Sequence, residues 1–329
     1  MQYFDKHTLW RRTLEQPLLL GRAITKYSRL LWLGCALGLV SGNAHAWDNV
    51  TILTTNDSPA VNQFVMQLKG ELNQDKGIKV NLSKIDSGLS INIPKDTLLV
   101  AVGTQALAYA SNLGESTPIL GALVPKTNYE SILAESKRSP SRFSAVYLDQ
   151  PFTRQLSLIK VLFPNNTSIG TLLGAVSQFQ SNDLQDAAKK FNMTVNIRLI
   201  NKESELQSSL EALMQDKQIL LAIPDPLIYT KETAQTILLT SYRHQSPVIG
   251  FSQSYAKSGA IAAVFTSPKQ FASEISNIIE QLPSDKVTLP SARAPAQFSI
   301  QINRQVAKSL NIVIPKDEII YQQMLRDEK

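Results

Sequence analysis

From residue 50 onward the chain alternates short aliphatic runs with longer stretches whose apolar positions recur every three or four residues. The run at 50–54 reads as a buried strand. It is followed by Asn56-Asp57-Ser58-Pro59, where Ser58 can cap a helix and Pro59 suits its first turn. Val61, Phe64, Val65, Leu68 and Leu72 then share one helical face. Strands are predicted at 78–82 and 98–102, a helix from near Thr104, and a further strand at 118–123. The rhythm resumes after Asp149. A helix carries Phe152, Leu156, Ile159 and Leu162, and strand 169–173 follows. Next come a helix over about 181–191, strand 195–199, a helix over about 203–214, and strand 219–223, stopped by Pro224. Strands 248–251 and 261–265 precede a helix introduced by Ser267-Pro268.

Strands alternating with helices of this length build βαβ units and mostly parallel sheets, with right-handed crossovers. Two successive runs predict an α/β protein of two doubly wound, Rossmann-like lobes, joined through the extended stretch 143–151. In such sheets ligands sit beyond the carboxyl ends of the strands, often at helix N-termini. Those places hold Thr55, Asn56, Asp57 and Ser58, then Gly103, Thr104 and Gln105, then Gly174 to Ser177, then Asp225 between two prolines. Each is small or polar. Ser58 and Thr104 also have a plain structural reading as helix caps. Tyr147, Tyr229, Phe251 and Tyr255 add aromatic surface near strand ends or the join, where ordinary packing is the competing role. Asp225, held between Pro224 and Pro226, offers either a rigid carboxylate for a ligand or a helix cap.

The first 46 residues change the picture of charge. Arg11, Arg12, Arg22, Lys26 and Arg29 precede an apolar run at 30–40, then Ala44-His45-Ala46, the layout of a secretory signal peptide. The run is short for a membrane span, which needs about 20 residues. The whole chain has 33 Lys+Arg against 27 Asp+Glu, but residues 1–46 hold six basic and two acidic residues. The remainder is nearly balanced and makes no case for nucleic acid. The one cysteine, Cys35, lies in the leader, as do His7 and His45, which leaves His244 as the remaining imidazole. Trp32 stands where a lipid-attachment box wants a small aliphatic residue, so lipidation at Cys35 is not expected. No nucleophile elbow, phosphate loop, metalloprotease pair or dinucleotide fingerprint occurs, so neither enzyme, metal nor cofactor is expected.

Tyr147-Leu148-Asp149-Gln150-Pro151, Leu156-Ser157-Leu158-Ile159-Lys160 and Phe163-Pro164 begin a resemblance. It continues through Ile169-Gly170-Thr171-Leu172-Leu173-Gly174, Ile223-Pro224-Asp225-Pro226, Ser258-Gly259-Ala260-Ile261-Ala262 and Ile302-Asn303-Arg304-Gln305-Val306-Ala307. Over most of 97–317 the chain resembles the substrate-binding proteins of ABC transporters, in the group that includes tryptophan- and tyrosine-binding members. The resemblance implies a type I periplasmic-binding-protein fold with three crossings, near 145–149, 260–265 and 294–298. The implied domains are a signal peptide at 1–46, a first lobe of 47–146 plus about 262–293, and a second of 147–261 plus about 294–329. Asn56-Asp57-Ser58-Pro59 replaces the group's His-Pro loop, Val124-Pro125-Lys126-Thr127 its Thr-Asp-Pro, and Asp225-Pro226 its Asp-Asn. The fold therefore carries over better than the ligand.

Leader, two-lobed rhythm and resemblance together imply a periplasmic, monomeric solute-binding protein for a small polar, amino-acid-like ligand, with an ABC permease as partner. A ligand-sensing module reporting to a membrane sensor or receptor is the alternative. Protein recovered from a Gram-negative periplasm is expected to begin at Trp47; N-terminal sequencing that finds Met1 or a lipidated Cys35 contradicts the leader assignment.

Overall fold

A computed structural model describes residues 49–328 apart from 76–77, 86–92, 95–96, 217 and 283–287. The leader, with Cys35 and the expected cleavage site, lies outside the described residues. In chain order the elements of the first run are β1 (Asn49–Thr54), α1 (Pro59–Gly70), β2 (Lys79–Lys84), β3 (Leu98–Val102), α2 (Thr104–Ser111), β4 (Ile119–Val124), α3 (Lys126–Glu135) and β5 (Phe143–Tyr147). The second run is α4 (Phe152–Leu162), β6 (Ser168–Leu173), α5 (Ser181–Lys190), β7 (Thr194–Leu199), α6 (Leu206–Met214), β8 (Ile219–Leu221), α7 (Lys231–Arg243), β9 (Val248–Gly250), α8 (Gln253–Ser258) and β10 (Ala262–Phe265). Then come α9 (Pro268–Gln281), β11 (Ser299–Ile302), α10 (Arg304–Ser309) and α11 (Asp317–Asp327).

The strands form two sheets, one in the order β2-β1-β3-β4-β5 and one in the order β11-β10-β9-β8-β6-β7. The first is parallel throughout; the second is parallel except for β11, which runs antiparallel to β10. Read from β7, the second sheet repeats the order of the first, so each lobe is a doubly wound unit whose strand order reverses beside its first strand. β3 is buried on both faces, as a central parallel strand covered by helices must be. On one face Ile52, Leu98 and Val100 pack with Phe64, Leu68, Phe271 and Ile275; on the other Leu53, Leu99 and Ala101 pack with Leu107, Tyr129 and Phe143.

Phe271 and Ile275 belong to α9, which packs against α1. The first lobe is therefore completed by chain that arrives after five of the second sheet's six strands. Because β10 pairs within the second sheet, this crossing falls at 266–267, a few residues beyond the expected 262. The chain then runs beside β5, where Arg293 N–H donates to Ala145 O at 3.0 Å and Tyr147 N–H to Arg293 O at 2.8 Å. It returns over 294–298 to β11. The crossings from β5 to α4, from β10 to α9 and over 294–298 make the joint three-stranded.

Some elements differ from the sequence pattern. The run at 219–223 keeps only three strand residues, because Ala222 and Ile223 already lead into the Pro224 turn. Residues 203–205 form a 3₁₀ turn ahead of α6. α3 has no apolar stripe, with Tyr129 its one buried residue, and gave no periodic signal. Among the described residues no helix is long and apolar enough to cross a membrane.

Tyr129 fastens α3 to the first crossing. Its ring stacks on Phe143 at 5.6 Å, and its hydroxyl donates to Phe143 O at 2.8 Å. Burial, with Tyr147 and Glu130 nearby, pushes the phenol from 10.0 up to about 12. Below the unfolded value the phenol is neutral in both states. Between 10.0 and about 12 the unfolded phenol loses its proton while the folded one keeps it, so stability falls as pH rises through that window. Tyr129→Phe is expected to cost about 1 kcal/mol near neutral pH. It should also flatten part of the alkaline loss, read from urea midpoints across that range.

Candidate functional site

β5 and β10 both leave their sheets at the carboxyl end, and within a few residues the chain starts a helix of the other lobe. The carboxyl edges of the two sheets therefore face each other. A cross-lobe ion pair agrees with this: Lys126 Nζ, at the start of α3, lies 3.5 Å from Asp183 Oδ2 on α5. Contributions to the first-lobe edge come from the ends of β1, β3 and β4, adjacent in the sheet; those of the second lobe come from β6, β8 and β9, likewise adjacent.

On the first lobe, Thr55 is half-buried and Asn56, Asp57 and Ser58 are exposed. Ser58 is the N-cap of α1, accepting from Val61 N–H at 3.4 Å, and its own N–H donates to Asn56 Oδ1 at 3.0 Å. Asp57 pairs with Lys84 at the end of β2. Gly103 stands at the start of α2 with φ 87°, a backbone that side-chain-bearing residues rarely adopt. Thr104 and Gln105 open that helix, Thr104 half-buried and Gln105 exposed. Thr104 is its first residue rather than its cap, so the capping role expected of it falls to Gly103, which has no side chain to use.

α3 likewise starts without a capping side chain of its own. The carboxylate comes from the first crossing instead: Lys126 N–H donates to Asp149 Oδ2 at 2.6 Å. Burial raises the Asp149 carboxyl, against the opposing pull of that N–H and of the Lys126 charge. Tyr147 lies half-buried beside this contact, tilted on Tyr129 with ring centres 5.6 Å apart. Its phenol is raised by burial and by the Glu130 and Asp149 carboxylates.

On the second lobe Asp225 is turned inward, 3% exposed. Its Oδ2 accepts from Ser177 N–H at 3.1 Å and Ser177 Oγ at 2.8 Å, and its Oδ1 from Leu227 N–H at 2.9 Å. Ser177 Oγ in turn accepts from Gly174 N–H at 3.0 Å. A buried carboxylate survives only with such partners. The knot binds the loops after β6 and β8 together, a role neither as a free carboxylate aimed into the groove nor as a cap for α7, which Thr230 caps. A Cβ at Gly174 would lie 2.6 Å from Asp225 Oδ1, so only glycine fits there.

Next to the knot stand Tyr229, Phe251 and Tyr255. Phe251 and Tyr255 stack at 5.2 Å between ring centres, and Tyr229 meets both edge-on at 5.7 and 6.0 Å. The Tyr255 hydroxyl is buried without a hydrogen-bond partner, whereas the buried Tyr229 hydroxyl has the Ile223 backbone beside it, short of good hydrogen-bond geometry. Burial drives both phenols well up. Of the expected site residues, those of the first lobe and Tyr147 line its carboxyl edge. Asp225 lies beneath the surface of the second, supporting it, and Tyr255 is buried behind that edge with its hydroxyl unpaired. Lys126 and Asp149 were not singled out from the sequence; the missing signal was a helix start lacking its own cap.

Two doubly wound lobes facing each other across their carboxyl edges, on a three-crossing joint, define the type I periplasmic-binding-protein architecture. The chain belongs to the ABC transporter substrate binding protein family, whose model matches residues 77–323. It is thus a solute-binding protein of that family. Solved structures share the fold. The ABC domain from Streptococcus pneumonia in complex with L-Trp is 17% identical, with a TM-score of 0.56 over 83% of this chain and 98% of that one. The ligand-free, open form of a substrate binding protein with adhesive properties from Clostridium difficile is 16% identical, with a TM-score of 0.64 over 82% and 97%. A conserved domain protein from Vibrio cholerae is 17% identical, with a TM-score of 0.58 over 84% and 97%. No curated protein matches the chain in sequence.

Gly174→Ala is expected to destabilise by about 1–3 kcal/mol, since the added methyl group must displace a buried carboxylate. Asp225→Asn should cost about 1–3 kcal/mol, because an amide nitrogen replaces an acceptor before Ser177 or Leu227. Unfolding midpoints of both variants check the knot; wild-type stability in both would show that it holds nothing.

Proposed function

We propose that the protein works in the periplasm, closing its two lobes on a small polar, amino-acid-like ligand and delivering it to an ABC permease as a monomer, without turning the ligand over. The observation that carries this reading is the Tyr255 hydroxyl, buried without a hydrogen-bond partner behind the carboxyl edge of the second lobe. An unsatisfied buried polar group costs about 1–3 kcal/mol. Its retention is understandable where a ligand supplies the missing partner. The facing edge of the first lobe offers Thr55, Asn56, Thr104 and Gln105, whose hydroxyls and amides donate and accept, together with Tyr147. The exposed charges along the edges pair with one another, Asp57 with Lys84 and Lys126 with Asp183, which favours a zwitterionic or neutral polar molecule over a polyanion. The membership of the substrate-binding family and the near-neutral charge of residues 47–329 support the same reading.

A thermal-shift screen of amino acids, nucleosides, vitamins and small sugars tests it. A ligand at 100 times its Kd stabilises by about 2.7 kcal/mol. Tyr255→Phe sharpens the test. If the hydroxyl serves a ligand, its loss leaves the unliganded melting temperature unchanged or higher, while the shift given by the ligand shrinks. A lower unliganded melting temperature with an undiminished shift would assign Tyr255 to packing alone.

A further inference from the structure

Buried polar side chains gather where the three crossings run side by side. Gln150, Arg154 and Thr266 are each less than a tenth exposed, at 8%, 5% and 7%. Arg154 Nη1 donates to Gln150 Oε1 at 2.7 Å and to Pro295 O at 3.1 Å. Gln150 Nε2 donates to Thr266 Oγ1 at 2.9 Å, and Thr266 Oγ1 donates to Gln297 O at 2.5 Å. The bonds form a circuit that starts at Pro295 and ends two residues on, at Gln297. Every crossing takes part: the first through Gln150, the second through Thr266, the third through Pro295 and Gln297.

The circuit is anchored at its ends. Arg154 lies over the Phe298 ring, 4.5 Å from its centre, and pairs with Glu328 beyond the end of α11. Asp327 accepts from Ser157 Oγ at 2.6 Å, so the last helix is clamped on α4 at the same place. On the first-lobe side Glu274 of α9 accepts from Ala296 N–H at 2.8 Å and pairs with Arg293 at 3.1 Å.

We propose that the Gln150–Arg154–Thr266 circuit is the pivot of lobe movement, tying the three crossings into one joint so that they bend together. Three independent strands would let the lobes shear and splay; strands bonded to one another restrict them to rotation about a common line. The bonds run between crossings rather than across the groove, so opening the groove does not break them. Burial away from water makes each bond strong and each loss costly. The proposal concerns motion and is independent of which ligand the groove accepts.

Pulsed electron spin resonance distances test it in the ligand-free full chain. Cys35 is changed to Ser, and labelled cysteines replace Met66 on α1 and Lys189 on α5, side chains that are mostly exposed. A second labelled pair, at Met66 and Glu135, lies within the first lobe as a control. Arg154→Ala leaves a hole and stranded partners and risks failing to fold, so Thr266→Val and Gln150→Met are the deciding variants. Each is expected to melt cooperatively and to broaden the inter-lobe distance distribution roughly twofold, with the control pair unchanged. An inter-lobe width unchanged from wild type in both variants overturns the proposal, as does equal broadening of the control pair, which would show general loosening.

Discussion

Groups that leave water must find partners inside the protein, and nowhere is that constraint tighter here than in the joint. Three chain segments cross between the lobes in parallel, each carrying amides that no regular sheet absorbs. Arg154, Thr266 and Glu274 take up carbonyls and an N–H group of residues 295–297, and Gln150 links Arg154 to Thr266. Leaving any one of them unpaired would cost about as much as a single mutation usually does. The lobes can be separate cores because most of this narrow region is satisfied internally, though Gln155 Oε1 is buried there without a partner.

The same constraint shapes the groove in two opposite ways. At the Asp225 knot, every acceptor is matched, and the loops after β6 and β8 are held rigidly as a platform. At Tyr255 the hydroxyl is buried and unmatched. A rigid, satisfied support beside an unsatisfied polar group is a common division of labour at binding sites, because stability lost in one place must be recovered in another. The first lobe shows a milder form: α2 starts at a glycine with a positive φ, and α3 borrows its cap from the crossing through Asp149. That borrowed cap couples the start of a groove-lining helix to the joint itself.

Much of the architecture was legible because local signals and burial agree. The Ser58-Pro59 and Ser267-Pro268 caps open helices where expected, and the latter forms a full capping box with Gln270. α4 has the bounds that its apolar spacing implies. α3, α8, α10, α11 and β11 were not legible. α3 buries one residue, α10 is six residues long, and β11 is a short edge strand whose pattern means little until β10 lies beside it. The site was half legible: strand ends marked the edge, while the inward turn of Asp225 came from Ser177, which lies 48 residues away along the chain.

The sequence by itself determined the period of its strands and helices, the caps that start them, and hence two parallel α/β units in succession. Those features depend on neighbours within a turn or two, where side-chain spacing and backbone preference act directly. Only the tertiary structure decided that α9 packs against α1, that Asp225 faces inward, and that Gln150 meets Thr266 rather than water. These pairings join residues far apart in sequence, and which polar group is paired or stranded depends on the partners that packing brings to it.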